Sequence, residues 1–380
     1  MRDLVDIGMG RTARRAYGLD EVEIVPSRRT RSSKDVSTAW QIDAYRFDIP
    51  LITHPTDAVV SPTTAVAVGQ QGGLGVLNAE GLWARHADAD KVLDRILAAE
   101  DDDVSLSELV GLLQELHAAP IQLDLLSEAV QHVRDSGVTV AVRVSPQHAA
   151  ELTPTLLAAG VELLIVQGTI ISAEHVSRES DGEPLNLKSF IAELDIPVIA
   201  GGVHDYRTAM HLMRTGAAGV IVGYGNSAGV TTTDSALGIG TPMATAIVDA
   251  AAARRDYLDE TGGRYVHVIA DGDVYTSGDI AKSIACGADA VMLGAPLAAA
   301  AEAPGKGLYW TASAAHPSLP RSGVLAVADR DGVDLRTLLF GPTSDPDGMV
   351  NLFGALRRAM AKAGYSDLKE FQKVGLTVRS

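Results

Sequence analysis

The chain has 380 residues, a formal net charge of −16, 46% apolar residues and a single cysteine. This length fits one large domain with insertions, and the negative charge argues against binding to a nucleic-acid backbone, which requires a positive footprint. One cysteine excludes an intrachain disulfide. No membrane-spanning apolar run or signal-peptide pattern occurs, so we expect a cytoplasmic protein with no membrane contact.

Residues 1–48 are predicted to form an N-terminal extension. From residue 18 to 38, Pro26, several serines and a run of basic residues are typical of an extended, solvated segment. The basic cluster either contacts an anion or nucleotide or only keeps the segment soluble. Its members are Arg28, Arg29, Arg31 and Lys34.

From residue 49 onward, short apolar strands alternate with helices that often end at a glycine, which is typical of helix C-caps. Eight such units joined by right-handed crossovers predict a closed parallel barrel, the (β/α)8 or TIM fold. The predicted strands are Ile49–Thr53, Leu74–Leu77, Val138–Val144, Val161–Val166, Ile196–Ala200, Gly219–Val222, Tyr265–Ala270 and Ala290–Leu293.

The segments outside this repeat are predicted to belong to the same single domain, residues 1–380. Residues 79–137 have a helical pattern and form an insertion after the second strand. Residues 305–351 are rich in Pro, Gly, Ser and Asp, which favours a flap-like loop. Residues 352–380 form a C-terminal helical segment, with a basic amphipathic helix pair at Leu352–Phe371.

The stretch Val222–Met243 reads VGYGNSAGVTTTDSALGIGTPM. It follows a buried strand and precedes a helix that begins near Pro242. In a βα-repeat protein the carboxyl end of a strand carries functional loops. We therefore expect this glycine- and threonine-rich loop at the active site.

Four motifs make the chain similar to the IMP dehydrogenase/GMP reductase family, and the likeness spans nearly all of it. They are FDIPLITHPTDAVV, VAVGQQGGLGVLN, VIADGDVYTSGDIAKSIACGADAVMLGAPLA and GALRRAMAKAGYSDLKEFQ. The insertion at 79–137 is too short for the paired regulatory module that most IMP dehydrogenases carry there. The chain therefore resembles the short IMP dehydrogenase-related branch of the family.

The resemblance implies a nucleophilic cysteine in the loop after the sixth strand, which attacks the purine while a hydride passes to NAD. Thr231 stands at that position. A threonine hydroxyl is not ionised near neutral pH and needs a dedicated base, whereas a thiolate is a strong nucleophile. Asp234 is three residues away, and Thr231 could equally hydrogen-bond the loop backbone. We expect the sole cysteine, Cys286, to be a packed structural thiol.

The resemblance also implies contacts to a purine nucleotide. Asp271 matches the family aspartate that holds the ribose hydroxyls, and Gly272 and Asp273 stand where two glycines bind the phosphate through their amides. A carboxylate about 4 Å from a phosphate costs roughly 1 kcal/mol in water and roughly 4 kcal/mol at a half-buried site. Asp273 therefore argues for weakened phosphate binding.

Two further phosphate contacts are altered. Gly294 keeps a glycine beside the phosphate, but Ala295 and Gly229 replace two serines that donate to it in the family. Each lost donor costs about 1 kcal/mol or more. Arginines of the N-terminal cluster or of the 309–351 loop are candidates for compensation.

The purine and cofactor sides depart from the family as well. Thr56 stands where a methionine packs on the purine, and His54 replaces a serine beside it. Gln167 replaces the aspartate that grips the NAD ribose, and Gly202 replaces an asparagine. The Arg-Tyr pair of IMP dehydrogenase does not occur after Pro304, and the glutamate that GMP reductase requires there is absent between Glu302 and Glu370. No metal site is predicted, and the family's monovalent-cation site is not carried over.

Three hypotheses follow. The first is an inactive or repurposed paralogue in purine (guanine) nucleotide metabolism, which senses a nucleotide or contacts an active relative. The second is an active NAD-dependent IMP dehydrogenase that converts IMP to XMP, or a GMP reductase. The third is an enzyme on another ligand, with His54, Asp234 and Asp273 as a new polar site. Whether the purified protein retains a bound purine or phosphate distinguishes these hypotheses. A homotetramer or stacked octamer is implied.

Overall fold

The computed structural model describes residues 4–101, 104–168, 185–225, 238–312, 324–326 and 332–379. Its centre is a sheet of eight parallel strands in which successive strands along the chain are neighbours. Leu74 closes the barrel, because its amide donates to Leu51 O at 2.8 Å and its carbonyl accepts from Thr53 N at 2.9 Å. The predicted barrel is confirmed. Its strands are Leu51–Thr53, Val76–Asn78, Ala141–Val144, Leu163–Gln167, Val198–Val203, Gly219–Val222, His267–Ala270 and Ala290–Leu293.

The barrel strands are apolar and almost entirely buried because one face meets the interior and the other meets the helices. All five residues of Leu163–Gln167 and all four of Gly219–Val222 are buried. Polar side chains are concentrated where strands end, as at Thr53, Gln167 and Asp271. The carboxyl ends of the strands therefore share one polar, concave face.

The helices around the barrel begin at side-chain caps that the sequence provides. Ser61 accepts from Thr64 N at the first helix, and Thr276 forms a capping box with Asp279 at the seventh barrel unit. None of the described helices is long and apolar enough to cross a membrane. The helices that follow the strands are Pro62–Gln70, Leu123–Asp135, Ala149–Ala159, Leu187–Ala192, Tyr206–Arg214, Met243–Thr261, Ser277–Ala285 and Ala295–Ala298.

The helical insertion after the second strand consists of Ala89–Asp101 and Leu106–His117, ahead of the barrel's own helix Leu123–Asp135. His117 joins it to the barrel. Its Nδ1 lies 2.7 Å from Leu113 O and its Nε2 lies 2.9 Å from Asp57 Oδ2. Both ring nitrogens therefore face oxygen atoms, one on its own helix and one on Asp57. This buried contact links the insertion to the loop after the first strand.

The N-terminal segment is less solvated than its composition predicts. Val22–Ile24 forms an antiparallel pair with Leu376–Val378 near the end of the chain, and Leu19 and Val22 are buried. The basic cluster at 28–34 is exposed, as expected. Leu19 and Val22 are apolar residues in a mostly polar stretch, and they pack this segment into the hydrophobic core.

The prediction of loop structure from Tyr309 to Asn351 is wrong in part. Leu308–Trp310 is a buried strand that pairs with Val324–Ala326, and Leu335–Phe340 is a helix. The glycines and prolines around these elements obscured them. The C-terminal helices are confirmed at Leu352–Ala363 and Leu368–Phe371.

The amino-terminal end of the barrel is fixed by a buried charge cluster around Asp289. Its carboxylate accepts from Arg254 at 2.8 Å, Lys369 at 2.6 Å and Tyr265 Oη at 2.8 Å, and also from the amide of Val268 at 2.9 Å. Burial alone would raise the pKa of Asp289, but the charges of Arg254 and Lys369 hold it well below its ordinary value. This end of the barrel has a structural role.

His267, beside this cluster, predicts an acid-dependent loss of stability. Burial lowers its pKa from 6.5 to about 4. Between these values the unfolded chain binds a proton that the folded chain does not, so stability rises with pH across this window. We expect the free energy of unfolding to fall by up to about 1.4 kcal/mol per pH unit as the pH drops from 6.5 towards 4.

Urea denaturation across this pH range measures the effect. His267→Phe is the matched variant, because it keeps an aromatic ring against Trp40 and Tyr265. The variant should lose this slope. An unchanged slope would show that other groups cause it.

Candidate functional site

The centre of the polar face is the carboxylate of Asp271, which follows the seventh strand and is fully buried. His54 Nδ1 lies 3.1 Å from both carboxylate oxygens, and Gln167 Nε2 donates to Oδ2 at 2.8 Å. Since a carboxylate only accepts, a hydrogen bond here requires the His54 proton to be on Nδ1. Residues from the first, fourth and seventh strands thus meet at one point.

The ring of His54 packs against the start of the loop after the sixth strand. A Cβ built on Gly225 would lie 2.7 Å from His54 Cε1, so only glycine fits there. Gly225 N donates to Asp271 O at 2.8 Å, and the ring of Tyr309 lies 6.5 Å from that of His54. The loop, the histidine and the carboxylate form one packed unit.

Tyr309 lies over the glycine that follows the eighth strand. A Cβ on Gly294 would be 2.5 Å from the Tyr309 hydroxyl oxygen, and this buried hydroxyl has no hydrogen-bond partner among the described residues. Burial, and then the charge of Asp271, raise the pKa of Tyr309 well above its ordinary value. The hydroxyl is therefore a protonated donor at physiological pH.

A second polar cluster supports Gln167 from the neighbouring strands. Arg143 donates to Gln167 O at 2.7 Å and to Asn78 Oδ1 at 3.2 Å, and lies 3.5 Å from Glu80. Burial alone would raise the pKa of Glu80, but the Arg143 charge and hydrogen bonds from His148 and a backbone amide lower it to about 2. An ionised Glu80 holds Arg143, and Arg143 in turn fixes the backbone of Gln167.

A cavity of about 430 Å³ opens beside Asp271. Its wall includes Gly272 and Asp273, the loop residues 223–225 and 238–243, and two acidic residues of the N-terminal segment, Asp20 and Glu21. Asp273 is exposed and has a left-handed φ of 53°, a conformation that glycine adopts more readily. The carboxylates make this side of the mouth unfavourable for a phosphate.

The other predicted contact residues are placed as follows. Thr56 is buried and its hydroxyl donates to Trp310 O, so it is already used within the protein. Gly202 is buried in a cis peptide with Gly201, and a Cβ there would meet Gly223 O at 1.9 Å. Ala295 is buried after Gly294 and offers no donor side chain.

Thr231 and Gly229, the positions expected at the nucleophile, lie outside the described residues, as does Asp234. Cys286 is described. It is buried at the end of helix Ser277–Ala285, and burial raises the pKa of its thiol to about 11. The next residue, Gly287, accepts from Arg254 of the Asp289 cluster, so the thiol lies at the opposite end of the barrel from Asp271. The prediction of a packed thiol is confirmed.

The family is shown by comparison with known proteins. The profile described as "IMP dehydrogenase / GMP reductase domain" matches residues 16–319. The chain belongs to this family. A crystal structure of an IMP dehydrogenase/GMP reductase-like protein from Corynebacterium glutamicum superposes with a TM-score of 0.93 at 56% identity, and covers 99% of this chain and 98% of that one.

Family relatives differ in their distance from this chain. An uncharacterized oxidoreductase of Mycobacterium tuberculosis is 68% identical over 375 residues, which are 99% of this chain and 100% of that protein. The inosine-5'-monophosphate dehydrogenase of Methanocaldococcus jannaschii is 26% identical over 465 residues, which cover 95% of this chain and 92% of that protein. The chain is a short form of the family, since the family domain covers residues 16–319 and the described residues between the second and third strands form helices and turns.

The sequence did not predict the contacts between the residues of this site. The predictions named Asp271, Gln167 and His54 separately, but not the contacts that join them. Tyr309 was placed in a loop, although its aromatic character beside Trp310 was a signal for a buried strand. Arg143 was not named at all, and a charged residue within an apolar strand was the available signal.

Proposed function

We propose that this protein binds a purine nucleoside monophosphate at the carboxyl face of the barrel and does not perform the thiolate chemistry of its family. It is thus an inactive or repurposed family member in purine (guanine) nucleotide metabolism. The position of Cys286, the sole cysteine, is the main support for the absence of thiolate chemistry. Its thiol is buried at the amino-terminal end, where it cannot reach a ligand near Asp271.

The hydroxyl of Tyr309 supports phosphate binding. It is a buried donor with no partner in the described residues, and it lies against Gly294, the position that the resemblance puts beside the phosphate. An unsatisfied buried donor costs about 1–3 kcal/mol, which a ligand acceptor would recover. In our proposal Tyr309 replaces the donors lost at Ala295 and Gly229.

Tyr309→Phe should weaken the binding of nucleoside monophosphates about tenfold, since it removes a hydrogen bond to a charged group. The affinity for the matched nucleoside, which lacks the phosphate, should not change. Titration calorimetry with GMP and guanosine measures both. An equal loss for GMP and guanosine would mean that the hydroxyl does not contact the phosphate.

NAD does not fit the described cofactor side well. Gln167 stands at the position of the family's ribose-binding aspartate. Its side-chain amide donates to Asp271, and its backbone carbonyl accepts from Arg143. Gly202 is crowded by Gly223 O. A neutral amide already engaged in this way provides no carboxylate for a ribose.

Active NAD-dependent oxidation of IMP is the alternative, favoured by the family match. An NADH-absorbance assay with IMP and NAD at millimolar concentration decides between them. We expect no turnover, and Thr231→Cys alone should not restore it, because the phosphate contacts are altered as well. Turnover by the unmodified protein would establish the alternative.

We also infer a homotetramer or octamer and a cytoplasmic setting, by analogy with the family, and allow for contact with an active family relative. Light scattering after size-exclusion chromatography measures the assembly. A monomer at micromolar concentration would contradict this part of the proposal.

A further inference from the structure

The carboxylate expected to hold a ribose, that of Asp271, already accepts from two side chains of the protein. His54 Nδ1 contacts both oxygens of Asp271, and Gln167 Nε2 contacts one of them. A carboxylate offers about four acceptor positions. The Asp271 side chain is only 1% exposed. A ligand diol therefore finds only the acceptor positions that His54 and Gln167 leave free, although Asp271 lines the cavity.

The two donors are fixed in place by their own surroundings. The ring of His54 is enclosed by Gly225, and Tyr309 lies edge-on to it. Gln167 is held through its backbone carbonyl by Arg143. To expose Asp271, a ligand would have to displace a packed ring and break a charge-assisted hydrogen bond. His54 thus acts as a cap on the carboxylate.

We propose that this cap makes nucleotide recognition independent of the ribose hydroxyls, so that the site takes ribo- and deoxyribonucleoside monophosphates alike. The proposal rests on the nucleotide binding proposed above and deepens it. A site built to hydrogen-bond a ligand hydroxyl rejects the analogue that lacks it by factors of about 10⁴. A site that leaves the hydroxyl in solvent discriminates little.

The test compares GMP with 2'-deoxy-GMP by titration calorimetry on the full chain. We expect dissociation constants within about threefold of each other. A preference for GMP of about thirtyfold or more would overturn the proposal. Failure of both nucleotides to bind at millimolar concentration would instead contradict the proposed function. Nitrogen-15 NMR of the His54 ring would then still test its contact with Asp271.

Two variants isolate the cap. His54→Ser removes the ring and uncovers Asp271, so the preference for GMP over deoxy-GMP should rise about tenfold or more. His54→Asn is the matched control, since its amide can still donate to the carboxylate, and its preference should remain close to that of the unmodified protein. Equal ratios in all three proteins would show that His54 does not shield Asp271. Thermal melts confirm that each variant is folded.

Nitrogen-15 NMR of the histidine rings tests the cap without any ligand. The His54 signals are assigned by their loss in His54→Asn. We expect a proton on Nδ1 near neutral pH, because the Asp271 carboxylate faces that atom. A ring protonated only on Nε2 would remove the contact and with it the proposal.

Discussion

Asp289→Ala is expected to lower the free energy of unfolding by about 3–5 kcal/mol, because it leaves the buried charge of Arg254 without its partner. Asp289 is 2% exposed in its side chain and pairs with Arg254, which is 12% exposed. The Tyr265 hydroxyl and the amide of Val268 would lose the same acceptor. Urea denaturation measures the change.

The matched control is Glu260→Ala, which breaks an ion pair of similar length at the surface. Arg214 and Glu260 lie 2.6 Å apart, but their side chains are 55% and 45% exposed. Water and salt screen such a pair, so the urea midpoint should stay close to that of the unmodified protein. A similar loss in both variants would mean that burial does not set the strength of the Asp289 cluster.

Gly223→Ala is expected to lower the free energy of unfolding by about 3 kcal/mol or more and to disturb the site. It combines backbone strain with a steric clash. Gly223 has a φ of +99°, and a Cβ there would lie 2.1 Å from Asp271 O. That carbonyl also accepts from Gly225 N. A shift of this backbone would move both Asp271 and the loop that covers His54.

Gly238→Ala separates strain from clash. Its φ is +68°, but none of the described residues lies within 4 Å of the Cβ position. Only the left-handed backbone cost of about 1–2 kcal/mol applies. Denaturation and GMP titration of the two variants should therefore differ clearly. Equal stability losses would indicate that the contact between Gly223 and Asp271 relaxes easily.

The barrel could be predicted from sequence because its signal is local. Each buried strand is a short apolar run, and helices such as Ala149–Ala159 end at a left-handed glycine, here Gly160. All eight strands appear where they were expected, with small shifts at their ends. The position of Asp271 at the carboxyl face followed from the same pattern.

The site's contacts could not be predicted, because they join residues far apart in the chain. His54 and Asp271 are separated by 217 positions, and their pairing depends on side-chain direction rather than on strand order. Tyr309 reaches Gly294 from a strand whose surroundings have a loop-like composition. The sequence therefore predicted altered contacts at this mouth, while only the packing shows that His54 and Gln167 occupy the carboxylate.

Titration calorimetry of the purified protein with IMP, XMP and GMP tests the central claim most directly. The account predicts binding on the order of micromolar for at least one of them, about −8 kcal/mol, with no hydride transfer in a parallel NADH-absorbance assay. No detectable heat at millimolar ligand would contradict nucleotide binding at this barrel. Binding accompanied by steady NADH production would contradict the loss of the family's chemistry.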